Sequence, residues 1–250
     1  MTVSIVGMGR IGRVVARCAE GQGSRVAPVT RSGGTLADKG PIVLAVSEDD
    51  LETAVAPLPP TLGPRLVFVQ NGLIVEVMGR FPGAGRGLLH FNAGVDGRVR
   101  VLATSIFGGE AGVPLAEMLD VGGIPARHEP DAGRLRIEEI RKLLWSTVLS
   151  VLAAAHHVPV GRLHEEHGDE VEVLARECIA VAAAALSVRP DVDDLLASVR
   201  QMAAALPDYK GSARGQRYRN QLLVALGRRL GIATPRNEAV LAAFGISKAC

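Results

Sequence analysis

Aromatic side chains are nearly missing from this chain: phenylalanine, tyrosine and tryptophan make up 3% of its 250 residues. So few rings rule out a stacking platform for single-stranded nucleic acid and leave the core to aliphatic side chains. Cysteine is almost as scarce. Cys18, Cys178 and Cys250 lie far apart, form no CxxC pair and offer no disulfide framework, which suits a reducing cytoplasm, the expected location. No apolar run is long enough to cross a bilayer, and the richest, 179–186, is far too short. Neither sign of charge prevails: 28 basic residues against 26 acidic ones give a net charge of +2, so neither nucleic acid nor a membrane is expected as a partner. The chain enters a strand-like run at once, so no signal peptide is expected.

What is present is ordinary for a globular protein, with 48% hydrophobic and 22% charged residues. The length suffices for one large or two modest domains. The most informative segment comes first. Thr2-Val3-Ser4-Ile5-Val6 is a β-branched run that leads into Gly7-Met8-Gly9-Arg10-Ile11-Gly12 and then into a helical pattern from Arg13 to Glu20. Strand, G-x-G-x-x-G and helix in that order form the dinucleotide-binding fingerprint. Gly7 permits the tight turn, Gly9 lets a pyrophosphate approach the backbone, and Gly12 lets the helix pack on the strand. The helix N-terminus then presents unpaired N–H groups to the phosphates.

A second strand, Arg25 to Thr30, contains Pro28, which is best tolerated near a sheet edge. Sites that prefer NAD carry an acid about 20 residues after the glycines, for the ribose 2′-hydroxyl. Here that position holds Arg31, followed by Ser32. A guanidinium can pair with a 2′-phosphate that an acid would repel, so NADP(H) is the expected cofactor.

Strands and helices continue to alternate. Pro41 to Val46 reads as a buried strand, and Ser47 as the cap of a helix through Val55. Arg65 to Val69 is the next strand and runs into Gln70-Asn71-Gly72. Strand-like pieces at 87–91 and 99–103, a helix at 111–119 and an edge strand at 124–128 follow. Near residue 130 the period changes, and helical spacing dominates to the end, with helices expected at 170–186, 194–206, 218–230 and from Pro235. The expected fold class is α/β: a Rossmann-type, mainly parallel sheet over residues 1–130, then an all-helical domain over 131–250.

These features together resemble the ketopantoate reductase (2-dehydropantoate 2-reductase) family. The matching residues are the glycine turn, Arg31, Gln70-Asn71-Gly72-Leu73, His90-Phe91-Asn92-Ala93, Ile140-Arg141-Lys142-Leu143, Val158-Pro159-Val160-Gly161 and Leu230 to Asn237. The resemblance spans nearly the whole chain. It implies an NADPH-dependent reductase of a small 2-oxo acid, with 2-dehydropantoate the first candidate, and it allows a homodimer. It implies Lys142 as general acid and Asn71 beside the nicotinamide and substrate. It implies cofactor contacts by Gly7, Met8, Gly9, Arg10, Ile11, Gly12, Arg31, Val46, Gln70, Asn71 and Ala93. Hydride delivery to a ketone leaves a developing alkoxide, which an ammonium can both protonate and stabilise. On charge patterning alone Lys142 reads as an exposed helix lysine, and Asn71-Gly72 as a turn dipeptide.

The chain also departs from the family pattern. Ser146 stands where the family has an asparagine one turn after the lysine. The family's late serine and glutamate fall on Ala203 and Gly215, with Ser212 an alternative for the serine, while Asn220 keeps the later asparagine. Ser146, Asn220 and Ser212 are therefore the candidate substrate contacts. The connection from Ser32 to Gly40 is short, so the sheet is expected to be trimmed.

Two clusters remain. Eight basic residues between Arg200 and Arg236 face only Asp208 within their segment. They read either as a positive field that draws in a carboxylate or as a solvated helix face. His156, His157, His164 and His167 lie near Glu165, Glu166 and Asp169 without the H-E-x-x-H spacing, so a polar surface is expected and no metal. Rival functions are a related dehydrogenase of another hydroxy acid and a non-catalytic NADP(H)-binding sensor.

Overall fold

A computed structural model describes residues 1–246, so Cys250 lies outside the described residues. The chain divides into two compact units, Met1–Leu135 and the remainder from Arg136.

The first unit is built on nine strands. These are β1 (Thr2–Val6), β2 (Arg25–Val29), β3 (Ile42–Leu44), β4 (Leu66–Phe68), β5 (Gly85–Leu88), β6 (Phe91–Ala93), β7 (Val99–Val101), β8 (Ser105–Gly108) and β9 (Ala126–His128). Seven of them form one sheet in the order β2-β1-β3-β4-β5-β8-β9. Every pairing in it is parallel except β5 with β8. β6 and β7 make a separate antiparallel ribbon. The helices of this unit are α1 (Arg10–Gly21), α2 (Leu51–Val55), α3 (Val75–Met78) and α4 (Gly112–Val121). The core is aliphatic, as the scarcity of rings requires: Val3, Ile5 and Val43 from the sheet meet Val14 and Val15 of α1 and Leu115 and Leu119 of α4, with Phe107 the largest ring among them. Sheet residues buried on both faces read as continuous apolar runs, which is why β1, β3 and β4 are legible in the sequence.

Several elements differ from their expected form. The expected strand at 87–91 is split, because the chain leaves the sheet after Leu88 and re-enters as the ribbon strand β6. β8 carried no recognised pattern. Its partner β5 is glycine-rich because the backbones crowd there: a Cβ on Gly85 would lie 2.6 Å from Gly108 O, and one on Gly87 would lie 2.8 Å from the Phe107 ring. Glycine at these positions removes the alternation that marks a strand. α2 starts only at Leu51, and Ser47 caps the turn before it instead, its hydroxyl accepting from Asp50 N at 3.3 Å and donating to Asp50 Oδ2 at 2.7 Å. The connection from Arg31 to β3 adds only an isolated bridge, Thr30 with Gly33. It is held in place by Ala37 N donating to the buried Ser4 hydroxyl at 2.9 Å and by Arg65 Nε donating to Gly40 O at 2.9 Å.

The helical unit follows. α5 (Ala132–Leu144) runs through a π-turn, Trp145–Leu149, into α6 (Ser150–His156). α7 (Leu163–Leu186), α8 (Val192–Ala205), α9 (Asn220–Leu230) and α10 (Pro235–Ala243) complete it. Asp191 caps α8 by accepting from Asp193 N and Asp194 N. Gly231 ends α9 in the left-handed conformation (φ 69°). α9 begins two residues later than expected, because Gln216–Tyr218 forms a 3-10 turn instead. Among the described residues no single helix is long and apolar enough to cross a membrane.

Candidate functional site

In the first unit the glycine turn joins β1 to α1. Gly7 has φ +94°, and a Cβ there would meet Val46 Cγ1 at 2.8 Å and Ala45 O at 2.9 Å. Gly12 is more constrained, since its Cβ would lie 2.0 Å from Gly7 O. Protein atoms therefore explain both glycines. Gly9 differs: it is exposed, and no protein atom lies within 4 Å of where its Cβ would be. The open space above Gly9 and the α1 N-terminus, which has no side-chain cap, leave backbone N–H groups available to an anion. These residues fit the pyrophosphate of a dinucleotide.

Val46 packs against that turn. Gln70 is buried and ties the ends of two strands together, its Nε2 donating to Leu44 O at 2.6 Å and to Val46 O at 3.2 Å. Asn71 follows, exposed at the C-terminal end of β4, with Gly72 at φ +85°. Val46, Gln70 and Asn71 thus gather beside the glycine turn at the carboxyl ends of adjacent parallel strands, where open α/β sheets bind ligands. Met8 and Ile11 are half-buried against the core, while Arg10 points outward. Ala93 is buried in the core cluster on β6.

The sequence reading missed Arg86. It is 3% exposed on β5 and donates to Phe68 O and to Gly72 O, each at 3.1 Å. Its guanidinium braces the loop that carries Asn71. An arginine inside a glycine-rich strand has no pattern that announces this task.

Arg31 sits at the end of β2 as expected, but it has a partner the sequence did not disclose. It forms an ion pair with Asp50, on an exposed surface. The Asp50 carboxyl lies below the usual carboxylate range, first because the Ser47 hydroxyl donates to it and then because of Arg31. An acid is therefore present at this end of the sheet, supplied by the turn before α2 rather than by β2.

In the helical unit Lys142 is half-buried in the last turn of α5, directly before the π-turn. Such turns rotate the following side chains relative to a regular helix and recur at functional sites. Ser146 lies on the π-turn and is 8% exposed, and its hydroxyl donates to Leu143 O at 3.0 Å. Its lone pairs alone remain for a ligand. Asn220 is fully buried, and Nδ2 donates to Thr147 O and to Asn237 Oδ1, both at 2.8 Å. Both donor hydrogens are spent inside the unit, which makes Asn220 a cross-link between the π-turn and α10. Ser212 is held by its backbone: its N–H donates to Ser150 Oγ at 2.9 Å and its carbonyl accepts from that hydroxyl at 3.1 Å. Ser150 is one turn beyond Ser146, so Lys142, Ser146, Asn220 and Ser212 converge on one helical stretch.

The basic segment is less one-sided than its sequence suggests. Arg228 pairs with Glu238 at 3.0 Å, Arg236 pairs with Glu170, and Arg219 donates to Arg214 O at 2.7 Å. Arg214, Arg217 and Tyr218 do not share a helix, because the 3-10 turn intervenes. The histidine cluster is not a solvated surface either: His156 and His167 stack in a half-buried knot with Glu170.

The chain is thus an α/β unit that carries a strand–glycine turn–helix at the carboxyl edge of its parallel sheet, followed by a helical unit. Residues 134–246 match the family model described as "Ketopantoate reductase PanE/ApbA C terminal", so the helical unit is similar to the C-terminal domain of that family. Solved structures share the fold over nearly the entire chain. A PanE/ApbA family ketopantoate reductase from Ralstonia eutropha is 21% identical, with a TM-score of 0.73 and 98% of each chain covered. A probable 2-dehydropantoate 2-reductase from Bacillus subtilis is 14% identical, with a TM-score of 0.76, covering 99% of this chain and 100% of that one. A D-mandelate dehydrogenase in complex with NADH is 15% identical, with a TM-score of 0.75 and 99% of each chain covered. No curated protein sequence matches the chain.

Proposed function

We propose that this protein reduces a small 2-oxo acid to the 2-hydroxy acid with NADPH, with 2-dehydropantoate the first substrate to try. The observation that carries the reading is the glycine turn: protein packing accounts for Gly7 and Gly12 and leaves the space over Gly9 open. Gly7 to Gly12 and the α1 N-terminus would hold the pyrophosphate, and Arg31 the 2′-phosphate. NADPH would supply the hydride. The residues of this chain supply the rest. Asn71, on a loop fixed by Gln70 and Arg86, orients the reacting groups. Lys142 delivers a proton to the oxygen of the former ketone, where the negative charge develops. Ser146 offers an acceptor one turn away.

One observation favours a second reading. Asp50 lies against Arg31, and a carboxylate there can accept from a ribose 2′-hydroxyl. That arrangement suits NADH and a different hydroxy acid, and the fold is shared with a D-mandelate dehydrogenase that binds NADH. The test is oxidation of NADPH and of NADH, followed by absorbance, against a panel of 2-oxo acids that includes ketopantoate and aromatic members. Turnover with NADPH supports the first reading, turnover with NADH alone the second, and binding without turnover of any member overturns both.

A further inference from the structure

We infer that His156, His167 and Glu170 form a binding site for one divalent first-row cation of zinc's class. All three side chains are half-buried in the helical unit, and one ligand atom from each lies within 4.8 Å of the others. The backbone is shaped to bring them together. α6 stops at His156 because His157 takes the left-handed conformation (φ 57°). α7 leaves helical geometry at His167 (φ −139°, ψ 30°). The two breaks bring the imidazoles together as a stack, with ring centroids 3.7 Å apart and planes 15° apart, so one ring must turn about its side-chain torsions for both nitrogens to converge on a shared ion. Glu170, three residues on from His167, faces the same point.

The hydrogen bonding divides in the way a metal site requires. His156 Nε2 lies 2.8 Å from Glu170 Oε2. The other carboxylate oxygen, Oε1, pairs with Arg236. A cation bound through Oε2 would therefore keep Arg236 as the partner of the remaining oxygen, the outer support that ligating carboxylates usually have. Among the described residues the His167 ring makes no hydrogen bond, so one ligand nitrogen becomes available without a hydrogen bond being broken. Burial pushes the Glu170 carboxyl up, but hydrogen bonds from Arg236 and His156 outweigh this and hold it below its ordinary value.

Two nitrogens and one carboxylate oxygen suit zinc, and a water completes four-coordination. Ligand bonds of about 2.0–2.2 Å place neighbouring ligand atoms roughly 3.4 Å apart. The His156–Glu170 contact opens from 2.8 Å to roughly 3.4 Å, and His167, whose ligand atom lies within 4.8 Å of the other two, closes on them as its ring turns out of the stack. The bound cation would fasten the end of α6 to α7 and, through Arg236, to the start of α10. This role is independent of the proposed redox chemistry.

The test uses the full chain without an affinity tag, stripped with a chelator and then dialysed against Zn2+ alone. One Zn2+ per chain is expected. His156→Gln and His167→Gln should each weaken binding by about 10-fold or more, with circular dichroism unchanged. Co2+ should give the visible absorption of a four-coordinate site in the unaltered chain and lose it in both variants. Failure of the folded chain to retain Zn2+, or equal retention by the two variants, would overturn the assignment.

Discussion

Arg31 and Asp50 form an ion pair across the ends of β2 and the turn before α2. Any 2′-phosphate that Arg31 binds must compete with that carboxylate. Replacing Arg31 by Ala should weaken NADPH by about 1–2 kcal/mol and leave NADH nearly unchanged. Asp50→Ala should do the opposite and raise NADPH affinity about 2–5-fold, the worth of an exposed pair. Titration of both cofactors by fluorescence checks this. Equal affinities in the unaltered protein, unmoved by either change, would remove Arg31 from cofactor selection.

The glycines of the first turn should separate in their consequences. Gly9→Val meets no protein atom within 4 Å at its Cβ, so the fold should survive while dinucleotide binding is lost. Gly12→Ala places its methyl 2.0 Å from Gly7 O and should destabilise the first unit by about 1–3 kcal/mol through overpacking. Thermal unfolding beside cofactor titration distinguishes the two. Normal binding by a folded Gly9→Val protein would break the link between the turn and the cofactor.

Lys142→Ala should lower kcat by on the order of 10²-fold, the usual scale for a general acid, with NADPH affinity little changed. A variant that turns over at the unaltered rate would strip Lys142 of its role.

Asn220→Ala tests the structural role of that residue. It removes the donor to Thr147 O and Asn237 Oδ1, so it should cost about 2 kcal/mol of stability. A loss of substrate affinity in a variant with unchanged melting temperature would mark Asn220 as a substrate contact instead.

What the sequence made legible follows from how each signal arises. β1, β3 and β4 are buried on both faces, so their apolar runs stand out, and the glycine turn carries its own spacing. β8 was lost because Ser105–Gly108 is four residues long and wholly buried, too short to show a period, and its partner β5 is glycine-rich. Lys142 and Ser146 stand one turn apart in the sequence, yet nothing in it announces the π-turn on which Ser146 lies. Arg31 was found and its partner Asp50 was not, because that pair joins segments distant along the chain. Asn220 is found only through the resemblance, and packing alone shows that both its donor hydrogens are used while Oδ1 is buried without a partner among the described residues.

Pro28 lies on β2, the outermost strand on its side of the sheet. The N–H and carbonyl groups that serve β1 belong to alternate residues: Arg25 N donates to Met1 O, and Val29 O accepts from Gly7 N. Pro28 therefore falls among the residues directed outward, and it has no N–H to give. Its ring breaks the row of donors that a foreign strand would need to zip onto this rim. The rim is therefore a poorer template for another strand than a regular edge, since a strand laid against it would go without one hydrogen bond at Pro28.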